Sequence, residues 1–229
     1  MAEPSSCSRS RSLPKRNNMP RISKQTLSRR TWDALNEAFP DSACSLDFDE
    51  PYRLAIRGIL SAQCTDVRVN ITASELFAEF DDPDKLDGAD IKRIEEIIRP
   101  CGLYKAKANS IKIFITRFTH EWGYEIPHDT DELMKVPGIG RKIANLIVGE
   151  VYSIPAIVVD THCKRVMKRI GITASDNPVN VERDMMKVFK EDEWIAIGHL
   201  AVDLGREYCT ARAPKCDSCP LNSFCLRRI

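Results

Sequence analysis

The chain has 229 residues, of which 43% are hydrophobic and 29% charged, a composition typical of a globular protein and unlike that of disordered or collagen-like chains. No apolar run approaches the roughly 20 residues that cross a bilayer, and the polar, basic first dozen residues lack the pattern of a secretory signal peptide. The net charge is +1, from 34 Lys and Arg against 33 Asp and Glu, which neither supports nor excludes nucleic acid as a partner.

The basic charge is concentrated at the start of the chain. Residues 1–30 contain eight basic side chains and one acidic side chain, whereas the remainder contains 26 basic and 32 acidic. Residues 1–20 also lack apolar periodicity, so we expect them to form a disordered basic tail. We expect an intracellular protein, in a bacterial or archaeal cytoplasm and close to the nucleoid; nuclear import through the tail is the alternative.

Helical patterns follow one another from about residue 21. Apolar residues recur at intervals of three and four, which predicts amphipathic helices. The best strand candidate, residues 157–159, is too short to build a sheet, so we predict an all-α fold with turns at residues 81–83, 100–102, 127–129 and 171–178. The repeating positions are Leu54, Ile56, Ile59 and Leu60; Val67, Ile71 and Leu76; and Ile91, Ile94, Ile97 and Ile98.

A Gly-x-Gly turn in the middle of the chain indicates a helix-hairpin-helix. Pro137 is expected to end one helix, and Gly138 and Gly140 permit backbone angles that other residues avoid. A second helix follows, and the uncovered N–H groups at its start could bind a phosphate without reading sequence. The alternative is an ordinary turn between two helices, in which the glycines only relieve strain.

Lys142 lies in the first turn of that second helix, beside Arg141. The helix dipole and the neighbouring cation both disfavour a charged ammonium there, so this amine is a candidate nucleophile. Binding an anion is the alternative role for a lysine at this position.

Asp160 precedes another helical pattern and is a natural N-cap, because its carboxylate can accept hydrogen bonds from the first turn. A carboxylate held near a basic amine could also act as a base and stabilise positive charge. His162 has no visible partner in the sequence, so we interpret it as structural.

Four of the nine cysteines lie close together near the end of the chain. Cys209, Cys216, Cys219 and Cys225 have the spacing Cys-x6-Cys-x2-Cys-x5-Cys. Thiols in a reducing compartment do not stay paired as disulfides, so this loop predicts a metal centre. Zinc is one candidate, but a 4Fe-4S cluster fits the spacing better. The loop also carries basic residues suited to a DNA backbone, with further basic residues on either side. They are Arg212 and Lys215 in the loop, Arg206 before it, and Arg227 and Arg228 after it.

Taken together, these motifs resemble those of the endonuclease III family. Its members are helix-hairpin-helix base-excision DNA glycosylases and AP lyases with a C-terminal iron-sulfur cluster. The matching stretches are distributed over nearly the whole chain beyond residue 25. They are residues 60–66 (LSAQCTD), 101–104 (CGLY), 136–144, 159–162 and the four-cysteine loop.

The resemblance implies a two-lobed all-α fold, with a six-helix barrel at residues 44–154 and a cluster domain formed by residues 21–43 and 155–229. It implies that Lys142 and Asp160 are the catalytic residues and that Gln63 and Leu103 fill the gap left by an extruded base. Asp66 would line the pocket. Gly138, Gly140, Arg141, Arg212 and Lys215 are expected to bind DNA, and the four cysteines to bind a 4Fe-4S cluster.

The implied activity is removal of oxidised pyrimidines from double-stranded DNA, followed by β-elimination 3′ to the abasic site, by a monomer that does not bind membranes. The adenine-mismatch glycosylases share this fold and cluster, but they generally lack a lysine at the position of Lys142. A non-enzymatic iron-sulfur DNA-binding or redox module is the rival from another class.

Overall fold

The computed structural model describes residues 22–227, and all regular structure in that range is helical. The all-α prediction is therefore confirmed. The basic tail at residues 1–20 and Arg228 lie outside the described residues. Within residues 22–227 no helix is both long and apolar enough to span a membrane.

The α-helices run as follows in chain order: α1 (Lys24–Ala38), α2 (Pro51–Leu60), α3 (Asp66–Glu79), α4 (Pro83–Gly88), α5 (Ile91–Ile98), α6 (Tyr104–Thr116), α7 (Thr130–Leu133), α8 (Arg141–Tyr152), α9 (Thr161–Ile170), α10 (Pro178–Met186) and α11 (Trp194–Glu207). Short 3-10 turns occupy Arg99–Cys101 and Glu191–Glu193, and a π-helical turn occupies Arg117–Glu121. The chain leaves the α-helical conformation at all four predicted turns, and Pro83 and Pro178 each occupy the first position of the helix that follows.

The buried apolar side chains form two clusters. The first lies among α2, α3, α5, α6 and α8. The second joins α1 to α9, α10, α11 and the cysteine loop, so both ends of the described chain contribute to it. The proposed boundaries at residues 44–154 and 155–229 stay a prediction, which these two clusters support.

An extended segment connects the two clusters. Between α8 and α9 the side chains alternate, so that Val158 packs in the first cluster while Ile157 and Val159 pack in the second. Successive side chains of an extended chain point in opposite directions. This segment therefore packs against both cores, directly before Asp160.

The pattern assigned to α3 was wrong in part. Val67 is 72% exposed and Ile71 is 56% exposed, whereas Leu76 is fully buried. The buried face of α3 is instead formed by Val69, Thr72, Ala73, Leu76 and Phe77. Helical spacing identifies a repeating stripe, but tertiary packing decides which stripe is covered.

Candidate active site, DNA-facing turns and cysteine cavity

A cleft between the two cores brings three predicted residues together. Its lining includes Lys142 from α8, Asp160 at the start of α9, and Asp66 at the start of α3. Positions that are far apart in the sequence thus share one site. Helix α11 completes the wall with His199 and Arg206.

Lys142 is the second residue of α8, as predicted, and it is exposed. The N-cap of α8 is Gly140, which provides no capping side chain. The first N–H groups of a helix have no acceptor within the helix. The amine and these N–H groups therefore occupy the same end of α8, where negative charge is favoured.

The two glycines of the hairpin have different roles. Gly138 has φ +86°, and a Cβ at this position would lie 2.9 Å from Ser110 Oγ, so glycine is required there. Gly140 has φ −92° and ψ 177°, and a Cβ would meet open space. The expectation that Gly140 needs unusual backbone angles was wrong. Pro137 also lies beyond the end of the preceding helix, because α7 ends at Leu133.

This difference gives a matched pair of variants. We expect Gly138→Ala to lower the free energy of unfolding by about 1–3 kcal/mol, from the left-handed backbone and the clash with Ser110, and to weaken DNA binding. Gly140→Ala should change the free energy of unfolding by less than about 0.5 kcal/mol, because its backbone suits any residue. Urea denaturation of both variants checks this, and equal effects would contradict it.

Asp160 is the N-cap of α9, and its Oδ1 accepts a hydrogen bond of 2.7 Å from the Cys163 N–H. The cap interpretation is confirmed. The cap uses only one of the two carboxylate oxygens, so capping is compatible with a second role in the cleft. His162 lies with Nδ1 3.1 Å from Arg165 Nη2, in agreement with its structural interpretation.

Asp66 joins the two lobes across the cleft. Its Oδ2 accepts a 2.6 Å hydrogen bond from Ser45 Oγ and also binds the guanidinium of Arg206 on α11. Nearby, His199 Nε2 of α11 lies 2.7 Å from Glu150 Oε1 of α8. Sequence reasoning missed the partners Ser45 and Arg206 and the His199–Glu150 pair.

The cleft also contains a thiol, which is a poor rival nucleophile. Cys44 lines the cleft beside Lys142, and burial raises its pKa to about 11. The thiol is therefore protonated near neutral pH, and the thiolate is the reactive form.

The two residues predicted to fill the gap in DNA occupy exposed turns with an uncommon backbone conformation. Gln63, between α2 and α3, has φ 53°, and Leu103, before α6, has φ 49°. Leu103 is 55% exposed, so its apolar side chain is accessible to a partner. Left-handed non-glycine residues cost free energy and are concentrated at functional sites.

The basic residues of the hairpin region are mostly engaged within the protein. Arg141 pairs with the buried Glu182 of α10, with Nε–Oε2 2.7 Å and Nη2–Oε1 3.0 Å. This pair uses Nε and Nη2, and the Arg141 side chain remains 45% exposed. Of the seven basic side chains in residues 135–170, Lys142 and Lys164 are the two with no hydrogen bond or ion pair among the described residues. The engaged residues are Lys135, Arg141, Arg165, Lys168 and Arg169. Arg212 and Lys215 are exposed on the cysteine loop.

The four cysteines of the loop line one cavity. Apolar side chains of α9, α11 and the loop form much of the remaining wall, including Ile170, Leu204 and Leu221. The Arg227 N–H donates to Cys225 Sγ at 3.4 Å, and Arg169 Nη1 lies 3.5 Å from Cys209 Sγ. N–H groups directed at sulfur stabilise anionic thiolates.

The donor set fits an iron-sulfur cluster. Cysteine thiolates are the usual ligands of iron-sulfur clusters, and the four thiols here line one cavity. Burial raises the pKa of Cys219 to about 11, so binding iron must displace its proton.

Two family models match the chain. One describes HhH-GPD superfamily base excision DNA repair proteins and matches residues 56–191. The other describes the iron-sulfur binding domain of endonuclease III and matches residues 209–225.

Curated relatives match most of the chain. Endonuclease III of Bacillus subtilis (strain 168) is 37% identical over 194 residues, covering 84% of this chain and 89% of the relative. Endonuclease III of Synechocystis sp. is 37% identical over 192 residues, covering 83% of this chain and 88% of the relative.

Among solved structures, a trapped covalent intermediate of endonuclease III with DNA, an estranged-adenine complex, superposes with a TM-score of 0.84 at 38% identity. The superposition covers 89% of this chain and 96% of the endonuclease III chain in that complex.

Proposed function

The chain belongs to the endonuclease III family of HhH-GPD base excision DNA repair proteins, and we propose that it is a bifunctional enzyme that removes oxidised pyrimidines from double-stranded DNA and then nicks the strand. It is a DNA glycosylase with an iron-sulfur binding domain. The AP lyase activity and the lesion class are the proposal. The observation that carries it is the placement of Lys142 and Asp160 in one cleft.

The first step moves the damaged base out of the helix, because its glycosidic carbon cannot be reached within the stack. Gln63 and Leu103 would fill the gap, and their exposed left-handed turns support this role. Lesions that weaken pairing or stacking lower the cost of this step.

Lys142 then acts as the nucleophile. Its neutral amine bonds to C1′ as the bond from C1′ to the base breaks, and Asp160 offsets the positive charge on the sugar. The C1′–O4′ bond of the sugar then breaks, O4′ takes a proton, and C1′ is left as a Schiff base with the lysine nitrogen. This iminium withdraws electrons, so loss of a proton from C2′ expels the 3′ phosphate by β-elimination. A related endonuclease III was trapped as a covalent intermediate with DNA, which supports a covalent route.

Phosphate binding would use backbone groups and the cysteine loop. The uncapped start of α8 after Gly138 and Gly140 suits a phosphate, and Arg212 and Lys215 are exposed for a second contact. Arg141 pairs with Glu182 and so links α8 to α10. Its Nη1 is not used by this pair, so Arg141 stays a proposed phosphate contact.

We propose that the iron-sulfur group is a 4Fe-4S cluster bound by Cys209, Cys216, Cys219 and Cys225. The four thiols around one largely apolar cavity support this type. In this role the cluster would hold the loop that presents Arg212 and Lys215. We also propose that the protein is a cytoplasmic monomer, as the bacterial origin of its relatives suggests for the location.

Removal of one ligand should disrupt the loop. We expect Cys216→Ser to give colourless, poorly soluble protein, because the apolar cavity loses the group that fills it. Visible absorption together with iron and sulfide content measures this. Cys64→Ser, outside the loop, is the control and should keep its colour. Colourless wild-type protein with stoichiometric zinc would contradict the assignment.

Borohydride trapping across a panel of oxidised, mismatched and abasic duplexes tests the proposed function. Borohydride reduces a Schiff base to a stable amine, so a covalent protein–DNA adduct identifies the lyase. Adducts on abasic and oxidised-pyrimidine duplexes are expected. Activity on adenine mismatches without an adduct would favour the adenine-mismatch glycosylases, and DNA binding without either result would favour the non-enzymatic module.

A further inference from the structure

A buried lysine links the ends of two helical segments, directly before the turns that carry Gln63 and Leu103. Lys107 on α6 is 4% exposed. Its Nζ donates to the backbone oxygens of Leu60 and Cys101, at 2.8 Å in both cases. Leu60 is the last residue of α2, and Cys101 is the last residue of the 3-10 turn before α6.

Each of these ends leads directly into one of the gap-filling residues. Gln63 follows Leu60 by three positions, and Leu103 follows Cys101 by two. Both have the left-handed conformation, with φ 53° and 49°. The main-chain N–H of Lys107 also donates to the Leu103 carbonyl at 3.0 Å. Lys107 therefore contacts the residue where the Gln63 turn begins. It also contacts the start of the Leu103 turn and Leu103 itself.

The chemistry of a buried ammonium suits this task. The last carbonyls of a helix lack partners within the helix, and a lysine can satisfy them. An ammonium has three N–H donors, so it can bind both carbonyls at once. Burial lowers the pKa of Lys107, and the titratable groups near it are the thiols of Cys64 and Cys101. Both hydrogen bonds are shielded from water, so neither is readily exchanged for solvent.

We propose that Lys107 is a positioning residue that fixes the separation of Gln63 and Leu103, and so sets how well the enzyme fills the gap left by an extruded base. This inference rests on the proposed function, because the gap-filling roles belong to it. Lys107 does not touch the reacting sugar; it acts through the two turns.

The test measures gap filling without chemistry. A duplex carries 2-aminopurine opposite a tetrahydrofuran abasic analogue, which the enzyme binds but cannot cleave. Filling the gap unstacks the orphan 2-aminopurine, so its fluorescence rises when wild-type protein binds. In Lys107→Met the two carbonyls lose their shared donor. We expect most of the fluorescence rise to be lost at saturating protein, and excision from a thymine glycol duplex to fall by about tenfold to a hundredfold.

Lys112→Met is the matched control. Lys112 is also on α6 and also donates to two backbone carbonyls, those of Asp87 and Ala89, but these lie at the end of α4. This variant should keep the fluorescence rise. In Lys107→Gln an amide can still reach one carbonyl, and we expect an intermediate rise.

The outcomes separate this inference from the proposed function. If the wild-type protein gives a fluorescence rise and a borohydride adduct but Lys107→Met keeps the full rise, the role of Lys107 is overturned while the function stands. If the wild-type protein gives neither signal, the function itself fails. If both Lys107 variants fail to fold while Lys112→Met folds, Lys107 is a core-stability residue and the positioning role is rejected.

Discussion

Replacement of Lys142 by glutamine is expected to abolish the borohydride-trapped adduct and to reduce strand cleavage at abasic sites by at least about a thousandfold. Glutamine has no basic amine, so it can form neither the bond to C1′ nor the Schiff base. Because Lys142 is an exposed residue in the first turn of α8, the fold should be retained. Denaturing electrophoresis of trapped and cleaved duplexes measures both effects.

Two further variants separate nucleophilic attack from simple charge. Lys142→Arg keeps a cation that can bind phosphate, but a guanidinium does not form the Schiff base, so the adduct should still be lost. Lys135→Gln removes an exposed cation on the other side of the Gly138 turn, where it pairs with Glu132, and should keep the adduct. An adduct that survives in Lys142→Arg would move the chemistry to another residue.

Asp160→Asn is expected to lower turnover by about a hundredfold to a thousandfold, because an amide cannot offset the positive charge on the sugar. Its effect on stability should be small, at about 1 kcal/mol or less, since asparagine caps helices nearly as well as aspartate. The amide oxygen can still accept the hydrogen bond from the Cys163 N–H. Single-turnover kinetics and urea denaturation of the same preparation measure the two effects.

The control for Asp160 is another capping aspartate. Asp82 caps α4, accepting a 2.8 Å hydrogen bond from the Lys85 N–H, and it is not part of the cleft. Asp82→Asn should change neither turnover nor stability appreciably. If Asp160→Asn instead lost its fold while keeping turnover per folded molecule, capping would be the whole role of this carboxylate.

Features that depend on neighbouring residues could be predicted from the sequence. The cap at Asp160 needs only a carboxylate three positions before an N–H. The start of α8 at Arg141, directly after the Gly-x-Gly turn, is also marked by neighbouring residues. The four turns are marked by Pro, Gly and Asp. The cysteine spacing predicted a metal loop for the same reason, since its ligands are close in the chain.

Features set by distant pairing could not be predicted. Arg141 pairs with Glu182, 41 positions away, and Arg206 pairs with Asp66, 140 positions away. Nothing in the local sequence around either arginine indicates its partner. The exposure of Val67 depends on which stripe of α3 the other helices cover. The left-handed backbone at Leu103 carries no local signal, because leucine is not a residue that favours it.

The second core has a consequence for how the protein is made. Leu27 and Leu35 of α1 pack with residues from α9 to the cysteine loop, which the ribosome produces after the first lobe. Helix α1 must therefore remain without its partners while the whole first lobe emerges and compacts. Closing so long a span costs little more entropy than closing a short one, but the delay leaves an apolar helix face uncovered during translation. A translational pause before residue 157 would prolong that exposure, and shielding of α1 by a chaperone would shorten it.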